Sequence, residues 1–151
     1  EPYYYASIVT LTKQDSPYAN AKGVQDLANG TCTSQLNTVW YDVCLPQIPG
    51  ANIQTAQESA PAMLVALESG AVDYVVTDMP TAMADDMVLL DFSDSDDNFQ
   101  VSDEEINIGI SLKKGNTELK DAIDGVLATM TTEDYEQMMQ EAISVQPITQ
   151  E

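Results

Sequence analysis

One stretch of the sequence, from Ala62 to Asp78, limits the fold more than any other. Residues 62–69 are apolar enough for a packed helix, and the Gly70 that follows suits the left-handed position at which a helix ends. Residues 72–77 are mostly β-branched or aromatic and predict a strand. A helix joined directly to a strand is typical of an α/β sheet, in which ligands bind beyond the carboxyl ends of the strands. Asp78 lies at such an end and is therefore placed to bind a cation.

Two interpretations of Asp78 follow from its surroundings. Pro80 stops the strand two residues later and holds the carboxylate at a defined point, as a binding site requires. Alternatively, Asp78 is a surface residue that caps a helix beginning at Thr81. Both interpretations stay open for this segment taken alone.

The charge of the chain excludes several classes of function. Its 151 residues suit one ordinary domain, and 5 basic against 25 acidic residues give a net charge of −20. Such a surface repels phosphate backbones and anionic lipids, which excludes nucleic-acid binding. The chain has no histidine, so a Ser-His-Asp triad, a Cys-His pair and a His-rich zinc site are all excluded. It also has no arginine to clamp a carboxylate, and the composition favours binding over catalysis, with no cofactor.

Neither a membrane span nor a leader sequence is predicted. The longest apolar runs, such as residues 87–90, are far too short to cross a bilayer. The chain begins at Glu1 without a signal peptide or an initiator Met, and residues 4–12 already read as a strand. We expect it to be an internal part of a longer protein.

The two cysteines, Cys32 and Cys44, are twelve positions apart and fit no metal-site spacing. They can pair if the strand that carries Cys32 packs under the helix that carries Cys44. The favoured interpretation is two buried thiols that act as small apolar side chains.

Strands and helices alternate along most of the chain. Predicted strands cover residues 4–12, 31–35, 52–56, 72–77, 87–92 and 106–112. Predicted helices cover residues 39–45, 62–69 and a short piece at 81–84, and two longer helices close the chain. Asn116 or Thr117 caps the first of these, and Thr131 with Asp134 forms a capping box for the second, whose Met138 and Met139 predict core packing. The fold class is therefore α/β, with a mostly parallel sheet in the middle third.

The second candidate site lies at residues 35–39, where a strand runs into a helix. Thr38 stands at or beside the first position of that helix, whose free N–H groups and hydroxyl suit a small anion such as a carboxylate. Alternatively, Thr38 only caps its own helix. Considered with Asp78, the segment completes a site for an α-amino acid, because one part accepts a carboxylate and the other an ammonium group.

Two further candidates have weaker patterns. Residues 94–105 place oxygen-bearing side chains at positions one, three, five, nine and twelve, as an EF-hand calcium loop does. Phe99, however, stands where that loop needs glycine, and we favour a solvated acidic connector. Tyrosines 3, 4 and 5 can form a wall of a ligand site, but ordinary strand packing is favoured.

Four motifs occur in order along the chain. They are Glu1-Pro2-Tyr3-Tyr4, Gly23-Val24-Gln25-Asp26-Leu27, Gln35-Leu36-Asn37-Thr38, and Ala66-Leu67-x-x-Gly70-x-x-Asp73 followed by Asp78-x-Pro80. As a set they resemble the extracytoplasmic substrate-binding proteins of amino-acid ABC importers. This resemblance covers essentially the whole chain and implies the two-lobed type II periplasmic-binding-protein fold.

The resemblance implies a role for each candidate site residue. Asp78 would bind the α-ammonium group, Thr38 and the backbone N–H of Val39 the carboxylate, and Gln35 would line the side-chain pocket. Asn37 departs from the glycine that the family has in its Gln-x-Gly-Thr motif, so the turn lacks the residue that permits the closest backbone approach. The family's first half of lobe one, with the arginine that clamps the carboxylate, would precede Glu1, and we expect a truncated chain.

The resemblance also implies a domain organisation. Residues 1–12 would form a hinge strand, residues 13–105 lobe two, and residues 106–151 the return strand and C-terminal helices of lobe one. The implied function is extracytoplasmic capture of a polar amino acid and its delivery to an ABC permease by closure of the two lobes, without catalysis. Membrane contact would come only from a lipid anchor or a fusion outside the chain. The alternatives are the sensor domain of a membrane receptor, a dehydratase of the same fold, and a calcium-dependent acidic interaction module.

Overall fold

A computed structural model describes residues 3–78 and 87–145. They fall into two compact units, a larger one of Ser7–Glu105 and a smaller one made of the described residues up to Ala6 and from Ile106 onward. In chain order the elements are β1 (Tyr4–Tyr5), β2 (Ile8–Lys13), β3 (Thr31–Thr33), β4 (Asn52–Ile53), α1 (Ala60–Glu68), β5 (Tyr74–Asp78), β6 (Met87–Asp91), α2 (Asp103–Ile106), β7 (Asn107–Ile108), α3 (Thr117–Leu127) and α4 (Thr132–Ser144). Shorter helices cover Val24–Leu27, Trp40–Cys44 and Leu45–Gln47.

The larger unit is built on a five-stranded mixed sheet in the order β4-β3-β5-β2-β6. Strands β3, β4 and β5 are parallel, as predicted for the middle of the chain, and β2 is antiparallel to both β5 and β6. The predicted α/β class is thus confirmed. Thr33 pairs with Val75, and Ile8 pairs with Asp78, so β3 and β5 end, and β2 begins, at one edge of the sheet.

Strand β5 is the centre of the hydrophobic core. Its residues from Tyr74 to Val76 are fully buried and Thr77 is 3% exposed, as expected for a strand that is covered on both faces. The core cluster on one face joins β2, α1 and β5 and comprises Val9, Leu11, Met63, Leu67, Val72 and Val75. Each such side chain contributes about 1.5–3 kcal/mol on burial, so α1 is held firmly against this face. On the opposite face the Tyr74 hydroxyl donates to the carbonyl of Leu27 at 2.8 Å.

Helix α1 begins and ends as the sequence predicts, give or take two residues. Ser59 caps it by accepting the N–H of Ala62, and Gly70 adopts the left-handed conformation with φ of 75°. The N–H groups of Gly70 and Ala71 bond to the carbonyls of Leu67 and Ala66, which is the paired bonding of a Schellman motif. The chain is thereby turned directly from α1 towards β5.

Several predicted strands are shorter or divided in the structure, and two predictions lie outside the described residues. Residues 4–12 form two strands, β1 and β2, in different units, and the strand predicted at 52–56 is regular only at Asn52–Ile53. The strand predicted at 106–112 is regular only at Asn107–Ile108, because its partner β1 is just two residues long and a strand needs a paired backbone. The helix predicted at 81–84 and the strand stop at Pro80 fall outside the described part of the chain.

The acidic segment that follows β6 is anchored to the larger unit. Asp97 accepts a hydrogen bond from the N–H of Gln25 at 2.8 Å, and its carbonyl accepts the N–H of Val24. A Cβ atom at Gly23 would overlap the Asp97 side chain, so glycine is required there by close approach. Phe99 is 5% exposed and lies against Phe92, with 6.3 Å between the ring centroids. The predicted solvated connector is therefore fastened at two points, although most of its acids face solvent.

The smaller unit contains a two-stranded ribbon of β1 and β7 together with α3 and α4. Asn116 caps α3, and Thr131 and Asp134 form the predicted capping box, in which the Asp134 carboxylate accepts the Thr131 N–H at 2.7 Å and the Thr131 hydroxyl accepts the Asp134 N–H at 3.2 Å. The predicted core packing of Met138 is wrong, because this side chain is 55% exposed. Two helices and a two-residue ribbon are too few to enclose a core. Tyr3 packs against Tyr135, in line with the favoured packing interpretation of the tyrosines.

The turn between β3 and the following helix forms without glycine. Asn37 has a φ of 60°, and Asn29 is the other described non-glycine residue with a positive φ. Asparagine is the side chain that adopts this conformation most readily after glycine, because its amide can bond to the nearby backbone. The absence of a glycine at position 37 is therefore compatible with a tight turn.

Substitution of Thr10 tests the packing of the central sheet. The Thr10 hydroxyl is buried in β2 without a hydrogen-bond partner in the described structure. Thr10→Val should raise the free energy of unfolding by about 1 kcal/mol, because it removes an unsatisfied polar group and keeps the shape. Thr12→Val is the matched control: its hydroxyl donates to the Asp73 carbonyl at 2.8 Å, so this variant should lose about 1 kcal/mol. Urea denaturation measures both, and equal losses would contradict the prediction.

Substitution of Asn37 tests the left-handed turn. Asn37→Ala should lower the free energy of unfolding by about 1 kcal/mol, since a Cβ-bearing residue without a bonding side chain is strained at this φ. Asn37→Gly should be close to neutral. Asn52→Ala, at an exposed position without a positive φ, serves as the control and should change stability by less than about 0.5 kcal/mol. If Asn37→Ala and Asn37→Gly had equal melting temperatures, the strain argument would be wrong.

The two cysteines are free and fully buried, as favoured from the sequence. Burial raises the pKa of Cys32 to about 11 and that of Cys44 to about 12, since a thiolate is poorly solvated in the core.

These raised pKa values predict a loss of stability in alkali. The unfolded thiols ionise near pH 9 while the folded ones keep their protons, so the free energy of unfolding should fall as the pH rises above 9, until the folded pKa values are reached. Each thiol contributes up to about 1.4 kcal/mol per pH unit in that window. Urea denaturation between pH 8 and pH 10 checks this, and Cys44→Ala should have a shallower pH dependence. A flat profile would show that the thiols ionise equally in both states.

Candidate functional site at the carboxyl edge of the sheet

The two main candidate segments lie at the point where the chain changes direction across the sheet. Strand β3 leads to β4, its neighbour on one side, whereas β5 leads to β6, which lies on the other side beyond β2. The carboxyl ends of β3 and β5 therefore flank a topological switch point, where open α/β sheets bind their ligands. Residues 35–39 follow β3, and Asp78 is the last residue of β5.

The two segments also share one face of the sheet. Side chains alternate along a strand, so Asp78 points to the same face as Tyr74 and Val76, opposite to the face that α1 covers. The connection from β3 to β4 moves outward to the edge of the sheet, whereas the connection from β4 to β5 moves back towards its centre. Because both connections are expected to be right-handed, the helix in the first lies on the opposite face from α1, which is in the second. The helix Trp40–Cys44 consequently lies on the Asp78 face, in agreement with its contacts to β5.

Asp78 is half-buried at the end of β5 and pairs with Ile8 in the ladder. The Thr77 hydroxyl lies 3.4 Å from Asp78 Oδ1 and donates to it. A carboxylate that is supported in this way at the rim of the core is suited to bind a cationic group, since the low local dielectric strengthens the pairing.

The turn at residues 35–39 is fixed by several bonds. Gln35 bridges to Gln57, and the Leu36 N–H donates to the Gln57 carbonyl at 2.8 Å. The Thr38 hydroxyl donates to the carbonyl of Gln35 at 2.7 Å and accepts the N–H of Tyr41 at 3.4 Å. The hydroxyl of Thr38 thus caps its own helix, which is the simpler of the two interpretations made from the sequence.

The backbone N–H groups of the turn remain suited to an anion. The N–H of Asp42 donates to the carbonyl of Thr38 at 3.1 Å, and this is the first backbone hydrogen bond of the helix that follows the turn. The N–H groups of Val39 and Trp40 precede it in the first helical turn, which supplies no intrahelical acceptor. An incoming carboxylate can accept hydrogen bonds from them.

Two residues that fix the backbone of the candidate site were not identified from the sequence. Ser34 is fully buried, and its hydroxyl donates to the carbonyl of Val76 at 2.6 Å. Gln57 bonds to the backbone on either side of Gln35. Neither residue stands in a recognisable motif, since both act through contacts between segments that are distant in the sequence.

The acidic segment 94–105 does not assemble a metal site in the structure. Within residues 3–78 and 87–145, no three acidic or cysteine side chains converge closely enough to hold a metal ion. Asp97, at the fourth position of the loop, is instead committed to the N–H of Gln25. In the same described part of the chain, no helix is both long and apolar enough to cross a membrane.

The sequence matches no protein-family model and no curated protein. Its structure is similar to that of AbpA, an amino acid ABC transporter substrate-binding protein from Streptococcus pneumoniae Canada MDR_19A bound to L-arginine, with 19% identity, a TM-score of 0.70 and coverage of 95% of this chain and 60% of that chain. The ancestral amino acid-binding protein AncCDT-1, a precursor of cyclohexadienyl dehydratase, is 24% identical with a TM-score of 0.69 and coverage of 93% and 59%. Holo ArgBP from T. maritima is 25% identical with a TM-score of 0.64 and coverage of 89% and 57%.

These neighbours are binding proteins, and one of them is the precursor of an enzyme. The chain spans about three fifths of the length of the structures it matches. Over that length it has the type II periplasmic-binding-protein fold of amino acid ABC transporter substrate-binding proteins.

Proposed function

We propose that this protein captures a polar amino acid outside the cytoplasmic membrane and delivers it to an ABC permease. The observation that carries the proposal is that Asp78 ends β5 and residues 35–39 follow β3, the adjacent parallel strand, at one switch point. Asp78 binds the α-ammonium group, and the N–H of Val39 with the Thr38 segment binds the carboxylate. Gln35 lines the side-chain pocket, and Asn37 holds the turn in its left-handed conformation. Because β3 and β5 are neighbouring strands, about 4.8 Å apart, the segments at their carboxyl ends are close enough for one small ligand to reach both.

The mechanism is closure of two lobes on the ligand. We assign lobe two to the larger unit, Ser7–Glu105, because β2 is an inner strand of its sheet. Residues 106–151 act as the returning part of lobe one, and the hinge strand expected over residues 1–12 ends before β2. Contacts that form only in the closed state shift the population towards it, and no bond is made or broken. The site therefore works without a cofactor, as a binding site rather than an enzyme, and the chain alone should bind weakly.

The charge of the larger unit favours a ligand with a neutral or cationic side chain. Between Ser7 and Glu105 the sequence has two lysines and sixteen acidic residues, a net charge of −14. Ile8, which pairs with Asp78, is at one end of β2, and Lys13 is at the other end, about 16 Å away along the strand. An anionic side chain would thus meet a repulsive field without a lysine from β2 to pair with. The arginine bound to AbpA is a ligand of the favoured class.

The cellular location follows from the same proposal. An importer of this type takes its ligand from the periplasm or the outer face of the cytoplasmic membrane, with the ABC permease as its partner. Attachment to the membrane comes from a lipid anchor or a fused segment.

Titration of the 151-residue chain with amino acids tests the function. We expect millimolar or tighter binding of a polar amino acid, with arginine, lysine and glutamine bound better than glutamate, measured from backbone amide shifts by NMR. Asp78→Asn should weaken this binding at least about tenfold, which corresponds to about 1.4 kcal/mol, because the ammonium group loses its counter-charge.

Asp91→Asn is the matched control for Asp78→Asn. Asp91 ends β6 at the same edge of the sheet, two strands away from β5, and accepts the Ser93 N–H at 2.9 Å. Its substitution changes the net charge equally and should change the affinity less than twofold. No shift with any amino acid, in a chain whose spectrum shows it folded, would refute the proposed function.

A further inference from the structure

The two halves of the candidate site are tied together by one buried side chain. Ser34 directly precedes Gln35, and Val76 stands two residues before Asp78. The Ser34 hydroxyl is completely buried and donates to the Val76 carbonyl at 2.6 Å. It therefore links the segment that leads into the turn to the segment that leads into the acid.

This link lies beyond the regular pairing of the two strands. The last paired residues of β3 and β5 are Thr33 and Val75. After Thr33 the chain turns away from β5 and towards the segment that follows β4. There the Ser34 carbonyl accepts the Gln57 N–H at 2.9 Å, and the Leu36 N–H donates to the Gln57 carbonyl. These bonds draw the turn towards the segment that follows β4, whereas the Ser34 hydroxyl holds it towards β5.

We propose that Ser34 is a positioning residue that sets the separation between the turn at residues 35–39 and the Asp78 carboxylate. The inference rests on the proposed function, because it concerns the same ligand. The ammonium and carboxylate groups of an amino acid are fixed to one carbon atom, so the site binds both at once only when its two halves keep one spacing. Ser34 does not touch the ligand; it acts through the backbone of β5 and of the turn.

The structure offers a matched control for this role in Thr12. Its hydroxyl is also buried and also donates to a carbonyl next to β5, that of Asp73, at 2.8 Å. Asp73, however, precedes β5, so this bond lies at the opposite end of the strand from Asp78. Ser34→Ala and Thr12→Val each remove one buried hydroxyl with little change in shape, and both should lower the melting temperature by a similar amount.

Amino-acid affinity separates positioning from stability. In NMR titrations with the best ligand of the unsubstituted chain, Ser34→Ala should weaken binding at least about fivefold, and Thr12→Val less than twofold. Ser34→Ala should also shift the amide resonances of Asp78 and Thr38 in the ligand-free chain. Ser34→Cys keeps a hydrogen-bond donor at this position, although a weaker one on a larger atom, and should fall between Ser34→Ala and the unsubstituted chain. It replaces Ser34→Ala in the comparison if that variant does not fold.

The outcomes are distinguishable. Unchanged affinity in Ser34→Ala, or equal losses of affinity in Ser34→Ala and Thr12→Val, would overturn the positioning role and leave the proposed function intact. Absence of binding in the unsubstituted chain would overturn the proposed function and this inference with it.

Discussion

The pairing of β5 with β3 on one side and with β2 on the other is the interaction on which the rest of the larger unit depends. It makes β5 an inner strand of the sheet, presents one of its faces to α1 and brings the ends of β3 and β5 to one edge. A parallel pair and an antiparallel pair meet in this single strand, so its register decides which side chains reach the core and which reach the edge. A slip by one residue would turn Asp78 towards the face that α1 covers.

Local signals in the sequence were sufficient where an element carries its own start, stop and periodicity. Helix α1 has a capping serine, a left-handed glycine and an apolar strand directly after it, and both its position and the α/β class could be predicted. The capping box of Thr131 and Asp134 is equally local. The strand at Asn107–Ile108 was predicted too long because composition reports the preference for an extended backbone and not the length of the partner strand. The exposure of Met138 has the same cause, since helix amphipathicity does not tell whether a covering layer is present.

Some features of the candidate site are likewise local in the sequence, and others depend on contacts between distant segments. Asp78 and the turn at residues 35–39 could be located from the sequence, because a strand end and a helix start are local features. Their adjacency came from the strand order, and Ser34 and Gln57 became visible only through bonds that cross many residues. At Asn37 the sequence indicated a difficulty that the structure removes. This residue replaces the expected glycine, but its positive φ is one that asparagine tolerates.

The close approach of Gly23 to Asp97 has a consequence for how this protein diverges. The acidic segment carries many exposed residues, and drift in its sequence costs little at most positions. Asp97 is different, because its carboxylate occupies the space that a side chain at position 23 would need and binds the N–H of Gln25. A larger residue at position 23 demands a smaller one at 97, and loss of the carboxylate relieves only part of the overlap, because the Cβ atom of Asp97 also lies 2.7 Å from the added atom. Across related sequences these two positions, more than seventy residues apart, should change as a pair within an otherwise variable segment.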